Sequence, residues 1–123
     1  MNASKTVLVV EDDDILRDTY VDILVFNGFS VISAKDGADG VVKYIEFNPE
    51  IVFMDVKMPK LDGYDAFSEI KEYDKDAKVI FVSGNIREDE QKLKRIQHDG
   101  DLIIIEKPIE PKQLLSIAQS LLD

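Results

Sequence analysis

Five short apolar runs punctuate the chain: Val7-Leu8-Val9-Val10, Val31-Ile32, Ile51-Val52-Phe53-Met54, Val79-Ile80-Phe81-Val82 and Leu102-Ile103-Ile104-Ile105. They are rich in β-branched residues and do not alternate with polar ones. A strand with one wet face alternates, whereas a strand covered on both faces does not, so these runs predict a buried parallel sheet. Val31-Ile32 is the shortest and fits an edge position.

The segments between them carry a helical period. After Asp14, apolar residues recur at Ile15, Leu16, Tyr20, Ile23 and Leu24, and Asn27-Gly28 is a stop signal. Ala38, Val41, Val42 and Ile45 predict a second helical face that ends at Asn48-Pro49. Tyr64, Phe67, Ile70 and Lys71 predict a short third helix. Residues 88–98 predict a fourth, with Leu93 and Ile96 on one face and charges elsewhere. Pro111 opens a fifth, with Leu114, Leu115, Ile117, Ala118, Leu121 and Leu122 apolar. Proline is tolerated near a helix start because its missing N–H has no partner there.

Five strand–helix repeats imply an α/β fold, doubly wound, with a parallel sheet between two helical layers and right-handed crossovers. In such sheets ligands bind beyond the carboxyl ends of the strands. No internal repeat, low-complexity segment or linker interrupts the pattern. Residues 1–123 are therefore expected to form one domain, with no output domain after the fifth helix.

Composition narrows the function. The 123 residues are 45% hydrophobic, enough for one core. Asp and Glu total 25 against 15 Lys and Arg, a formal charge of −10. That surface repels nucleic acid, so no direct nucleic-acid partner is expected. There is no cysteine and one histidine, His98, which excludes disulfides, thiolate metal sites and a His-rich metal centre. Neither a leader-like apolar stretch nor a run approaching membrane length is present, so the expected location is cytoplasmic, without membrane insertion.

The strand ends hold the chemistry. The first strand runs into Glu11-Asp12-Asp13, the third ends in Asp55, the fourth in Ser83, and the fifth is followed by Lys107-Pro108. Crowded carboxylates repel one another unless a cation neutralises them, and Mg²⁺ is the usual hard cation where phosphate is handled. Lys107 can hold an anionic oxygen and Ser83 can donate to another. A carboxylate nucleophile beside a metal and an ammonium suits phosphoryl transfer to Asp.

Taken in order, Val7-Leu8-Val9-Val10-Glu11-Asp12, then Asp55-Val56-Lys57-Met58-Pro59-Lys60-Leu61-Asp62-Gly63, then Ser83-Gly84, then Lys107-Pro108 resembles the receiver domains of two-component response regulators. The resemblance covers nearly the whole chain. It implies a flavodoxin-like (βα)5 fold with strand order 2-1-3-4-5. It makes Asp55 the phosphoacceptor, Asp12 a direct Mg²⁺ ligand, Glu11 a companion acting through metal-bound water, and the backbone carbonyl of Lys57 a third protein ligand. Ser83 becomes the hydroxyl that swings toward the phosphoryl group, and Lys107 the cation that pairs with it. The Lys107-Pro108 bond is expected to be cis. The implied partners are a histidine kinase or phosphotransfer protein that donates the phosphoryl group, and a separate effector protein. The implied assembly is a monomer or a phosphorylation-dependent dimer.

The sequence departs from the family pattern at several points. Glu11 stands where Asp is commoner. Ile104 stands where an aromatic rotamer switch is frequent. The stretch from Ser83 to Gly100 is slightly long, and Lys57 and Asn85 occupy positions that influence phosphate lifetime. Simpler readings stand beside these. The acidic run from Glu11 to Asp14 is also a helix-cap cluster, with Asp13 or Asp14 as the cap. Ser83 alone reads as a turn residue, Lys107 alone as a solvated loop lysine, and the charged run from Arg87 to Arg95 as a solvated helix face. His98 reads as a surface residue near a helix end. Other functions compatible with the fold are a relay intermediate, a pseudo-receiver that signals without phosphate, and a small Mg²⁺-dependent aspartyl-phosphate phosphatase. The phosphatase commonly needs a second Asp two residues after the nucleophile, where this chain has Lys57.

Overall fold

The computed structural model describes residues 5–58, 61–89, 91 and 103–122. In chain order they form β1 (Thr6–Val10), α1 (Asp14–Phe26), β2 (Ser30–Ala34), α2 (Gly37–Phe47), β3 (Ile51–Asp55), α3 (Gly63–Tyr73), β4 (Val79–Ser83), the start of α4 (residues 86–89 and 91), β5 (Ile103–Glu106) and α5 (Pro111–Leu122). The body of the expected fourth helix, together with Pro59, Lys60, His98 and Leu102, lies outside the described residues.

All strand pairs are parallel, in the order β2-β1-β3-β4-β5. This is the flavodoxin-like arrangement, with the shortest apolar run on the β2 edge. Alternate residues of each apolar run point to opposite faces, and both faces are dry. On one side Leu8, Val10, Val52, Met54 and Phe81 pack with Tyr44 of α2 and Ala66, Phe67 and Ile70 of α3. On the other, Val7, Val9, Ile51, Phe53, Ile80 and Val82 pack with Tyr20 and Leu24 of α1 and Leu114 and Ala118 of α5. Two buried layers explain why the sequence shows runs rather than alternation.

Two helices turn differently from the apolar spacing. In α2, Val42 and Ile45 are exposed and so is Ala38, while Gly37, Gly40 and Tyr44 are buried. The reason is closeness of approach: a Cβ on Gly40 would lie 2.9 Å from Val10 Cγ2. Tyr44 can go inward because its hydroxyl donates to Asp74 Oδ2 at 2.7 Å. In α1, Ile15 is 79% exposed. The inward stripe is Tyr20 and Leu24, buried, with Leu16 half-buried, and Ile15 lies about 100° around the helix from Leu16. The third helix, expected to be short, runs 11 residues. Among the described residues, no helix is long and apolar enough to cross a membrane.

Candidate functional site

Backbone hydrogen bonds extend the parallel ladder past the strand ends and fix the loops there. Glu11 N–H donates to the Ala34 carbonyl at 3.1 Å, Val56 N–H to Val82 at 3.1 Å, and Lys107 N–H to Ser83 at 2.7 Å. Glu11, Asp55, Ser83 and Lys107 are thus drawn to one rim of the sheet. The Lys107-Pro108 bond is cis, as expected.

The acidic loop is set by its own caps. Asp13 is the N-cap of α1, accepting from Leu16 N–H at 3.0 Å, so the cap reading holds for Asp13 and leaves Glu11 and Asp12 for other work. Arg17 donates to the Glu11 carbonyl at 3.0 Å and pairs with Asp14. Across the rim, Asp62 caps α3 by accepting from Asp65 N–H at 3.0 Å, and Gly63 N–H donates to the Val56 carbonyl at 2.7 Å. Gly63 has to be glycine: a Cβ there would lie 2.5 Å from the Asp55 carbonyl oxygen.

Glu11 and Asp55 are almost completely buried, while Asp12 is exposed at the mouth. Oxygens of all three lie within 4.8 Å of one another. Lys107 Nζ bridges two of them, 3.0 Å from Glu11 Oε1 and 3.2 Å from Asp55 Oδ1. The Lys107 ammonium is the described partner of the buried Glu11 Oε1, which as a carboxylate oxygen has a second lone pair to offer. Burial, with the Glu11 charge second, pushes Asp55 up to about 7, against the opposing pull of Lys107. Burial alone would lower the Lys107 pKa, but Glu11 and Asp55 outweigh it and the net shift is upward. A buried acid pair held by one ammonium is short of positive charge, and the oxygens around it are hard donors.

Lys57 lies on the exposed rim, with Nζ 3.9 Å from Glu88 Oε2, and Asn85 Nδ2 donates to the same carboxylate oxygen at 3.4 Å. Ser83 is buried, but its hydroxyl does not point at Asp55. It donates to Asp89 Oδ2 and accepts from Asn85 N–H at 3.0 Å. Asp89 is buried, and its other oxygen accepts from the Tyr64 hydroxyl at 2.5 Å. Burial and the Asp89 hydrogen bond push the Tyr64 pKa upward.

Sequence reasoning therefore found Glu11, Asp12, Asp55, Ser83 and Lys107, which share the rim, and missed Asp89, Tyr64 and Arg17. Asp89 was hidden in a charged run that reads as a solvated face. One signal was available: Asp89 falls three residues after Ile86 and four before Leu93, on the apolar side of the helical period.

A doubly wound sheet with three carboxylates and a lysine at the carboxyl ends of its strands defines the class, and the chain belongs to the response regulator receiver domain family, whose pattern matches residues 7–119. Its membership places it among the phosphoacceptor modules of two-component signalling. Its relatives include chemotaxis proteins named CheY. The protein from Bacillus subtilis is 45% identical over 78 residues, 63% of this chain and 65% of that protein, so that match spans just under two thirds of the relative's length. The protein from Treponema pallidum is 38% identical over 119 residues, 94% of this chain and 81% of that protein. Among solved structures, a CheX-CheY-BeF3-Mg²⁺ complex from Borrelia burgdorferi superposes with a TM-score of 0.84 at 33% identity, covering 97% of this chain and 90% of that one.

Proposed function

We propose that this protein accepts a phosphoryl group on Asp55, with Mg²⁺, from a histidine kinase or phosphotransfer protein, and thereby switches its binding to a separate effector protein. The observation that carries this reading is Lys107 Nζ within 3.2 Å of Asp55 and 3.0 Å of Glu11, beside the exposed carboxylate of Asp12. One Asp55 oxygen attacks phosphorus in line. The new O–P bond forms as the bond from phosphorus to the donor nitrogen breaks, and the electron pair leaves with that nitrogen. Lys107 exchanges part of its pairing with Asp55 for a phosphoryl oxygen and so follows the charge as it moves outward. Asp12, Asp55 and the Lys57 backbone carbonyl would hold the metal directly, and Glu11 would reach it through water. The all-oxygen donor set, three carboxylates within 4.8 Å of one another with a single described ammonium between two of them, fits such an ion. When bound, Mg²⁺ supplies positive charge that offsets the phosphoryl oxygens.

The module acts as a signalling phosphoacceptor that assists its own phosphorylation and slow dephosphorylation, without turnover on an outside substrate. Lys57 at the second position after Asp55 supports this over the phosphatase reading, because no acid stands there to protonate a leaving group. The formal charge of −10 supports a protein partner over nucleic acid. The complex with CheX formed by the Borrelia relative supports a separate partner protein.

The test is incubation with Mg²⁺ and acetyl phosphate, followed by intact-mass spectrometry. An alkali-labile phosphate adduct is expected in the wild type and none in Asp55→Asn. Absence of an adduct together with no response to beryllofluoride would make the protein a pseudo-receiver. Multiple turnovers on small phosphoesters would make it a phosphatase.

A further inference from the structure

The Ser83–Asp89–Tyr64 chain is not needed to build the acidic pocket, yet it engages the hydroxyl at the end of β4, on the rim that bears Asp55. Ser83 belongs to the end of β4, Asp89 to the start of α4 and Tyr64 to the first turn of α3. Both carboxylate oxygens of Asp89 are engaged, Oδ2 by Ser83 and Oδ1 by Tyr64. A buried carboxylate with two hydroxyl donors makes charge-assisted bonds, about twice as strong as neutral ones. A Ser83 hydroxyl proton given to Asp89 cannot also be given to a ligand on Asp55. Ile104 of β5 packs on the same side of the sheet as Tyr64 and offers no side-chain hydrogen bond. The hydroxyl that reaches Asp89 on that face comes from Tyr64 of α3.

We infer that Asp89 is a positioning residue: it holds Ser83 away from the phosphoryl site in the resting protein, and its release of Ser83 passes site occupancy to Tyr64 and so to α3. This rests on the reading that Asp55 is the phosphoacceptor. When Ser83 turns to a phosphoryl oxygen, Asp89 loses one of its two donors and Tyr64 is the described partner that remains. The Tyr64–Asp89 bond then carries more of the buried charge, and the helix starts that bear these two residues are drawn together. Two consequences of opposite sign follow. Weakening Asp89 as an acceptor frees Ser83 and favours ligand on Asp55. Removing the Tyr64 hydroxyl leaves Asp89 without that partner once Ser83 departs, and so disfavours the ligand.

The experiment uses the whole chain, Mg²⁺ and beryllofluoride as the phosphoryl mimic. Tyrosines are labelled with 3-fluorotyrosine, and the Tyr64 signal is assigned by its loss in Tyr64→Phe. In the wild type, beryllofluoride is expected to shift the Tyr64 resonance. Asp89→Asn is expected to bind beryllofluoride roughly tenfold more tightly, and Tyr64→Phe about fivefold more weakly. The Tyr64→Phe change leaves the net charge intact, so a general charge effect of Asp89 predicts no change there. Thermal denaturation of each variant confirms that it is folded, and Tyr64→Phe keeps the packing of the ring. Beryllofluoride binding with an unmoved Tyr64 signal, or a Tyr64→Phe affinity equal to wild type, overturns the inference and leaves the phosphoacceptor reading standing. No beryllofluoride response at all, including at Asp55, overturns both.

Discussion

Two clusters share the carboxyl rim of the sheet, and they are built in opposite ways. The Glu11–Asp55–Lys107 cluster comes from strand ends and the residues just past them, fixed by backbone hydrogen bonds that continue the ladder. The Ser83–Asp89–Tyr64 cluster comes from one strand end and the starts of two helices, and side-chain hydrogen bonds hold it. Among the described residues the first sets two buried carboxylates against one ammonium, and Asp12 beside them faces solvent, so the arrangement leaves room for further positive charge. The second has its carboxylate served by two hydroxyl donors, each of which can be exchanged for another partner. A rigid acceptor beside a replaceable set of hydrogen bonds is a suitable pairing for a switch, because one site must keep its geometry while the other alters.

Replacing Lys107 separates the two clusters most sharply. Lys107→Ala is expected to slow adduct formation from acetyl phosphate by about a hundredfold, because it removes the cation aimed at the transferring oxygens. The fluorotyrosine signal of Tyr64 in the resting protein should stay where it is, since the Lys107 ammonium pairs with Glu11 and Asp55, and the backbone N–H that holds the Ser83 carbonyl is kept in the variant. A resting Tyr64 signal that moves in Lys107→Ala would show that the clusters are one network.

The acidic pocket also carries a pH signature, centred on Asp55. Asp55 stands at about 7 in the fold against 3.8 for an ordinary Asp, so the folded protein keeps a proton that the unfolded chain has released. The stability linked to that proton is whole below about pH 4 and is lost as pH rises through about 7. In metal-free buffer, the melting temperature of Asp55→Asn should therefore pull ahead of wild type across this window, by on the order of 10 °C at its upper end. Added Mg²⁺ should narrow the gap. A gap that is constant from pH 4 to pH 8 would contradict the strain placed on Asp55.

Gly63 ties the clusters together, since it abuts the Asp55 backbone and precedes Tyr64. Gly63→Ala should cost about 2 kcal/mol, read as a fall of roughly 6 °C in melting temperature, because the added methyl meets backbone rather than a flexible side chain. It should disturb adduct formation and the Tyr64 signal together. A neutral effect would mean that the start of α3 moves freely relative to β3.

What could be read from the chain alone was set by short-range rules. Dry-faced strands give unbroken apolar runs, and Asn27-Gly28 and Asn48-Pro49 end helices by local backbone preference. In a parallel sheet polar groups gather at the carboxyl ends, so Glu11, Asp12, Asp55, Ser83 and Lys107 are legible from the chain alone. Tertiary packing decided the rest. In α2 the spacing of Ala38, Val41, Val42 and Ile45 fitted a helix face as well as the true one did, and the closeness of Gly40 to Val10 chose between them. Asp89 looked like one charge among many. Its partners stand 6 and 25 residues away, on separate elements, and a hydrogen bond of that kind leaves no period in the sequence. The sequence named the polar groups at the strand ends, but only the folded chain shows that the Ser83 hydroxyl is already engaged, by Asp89.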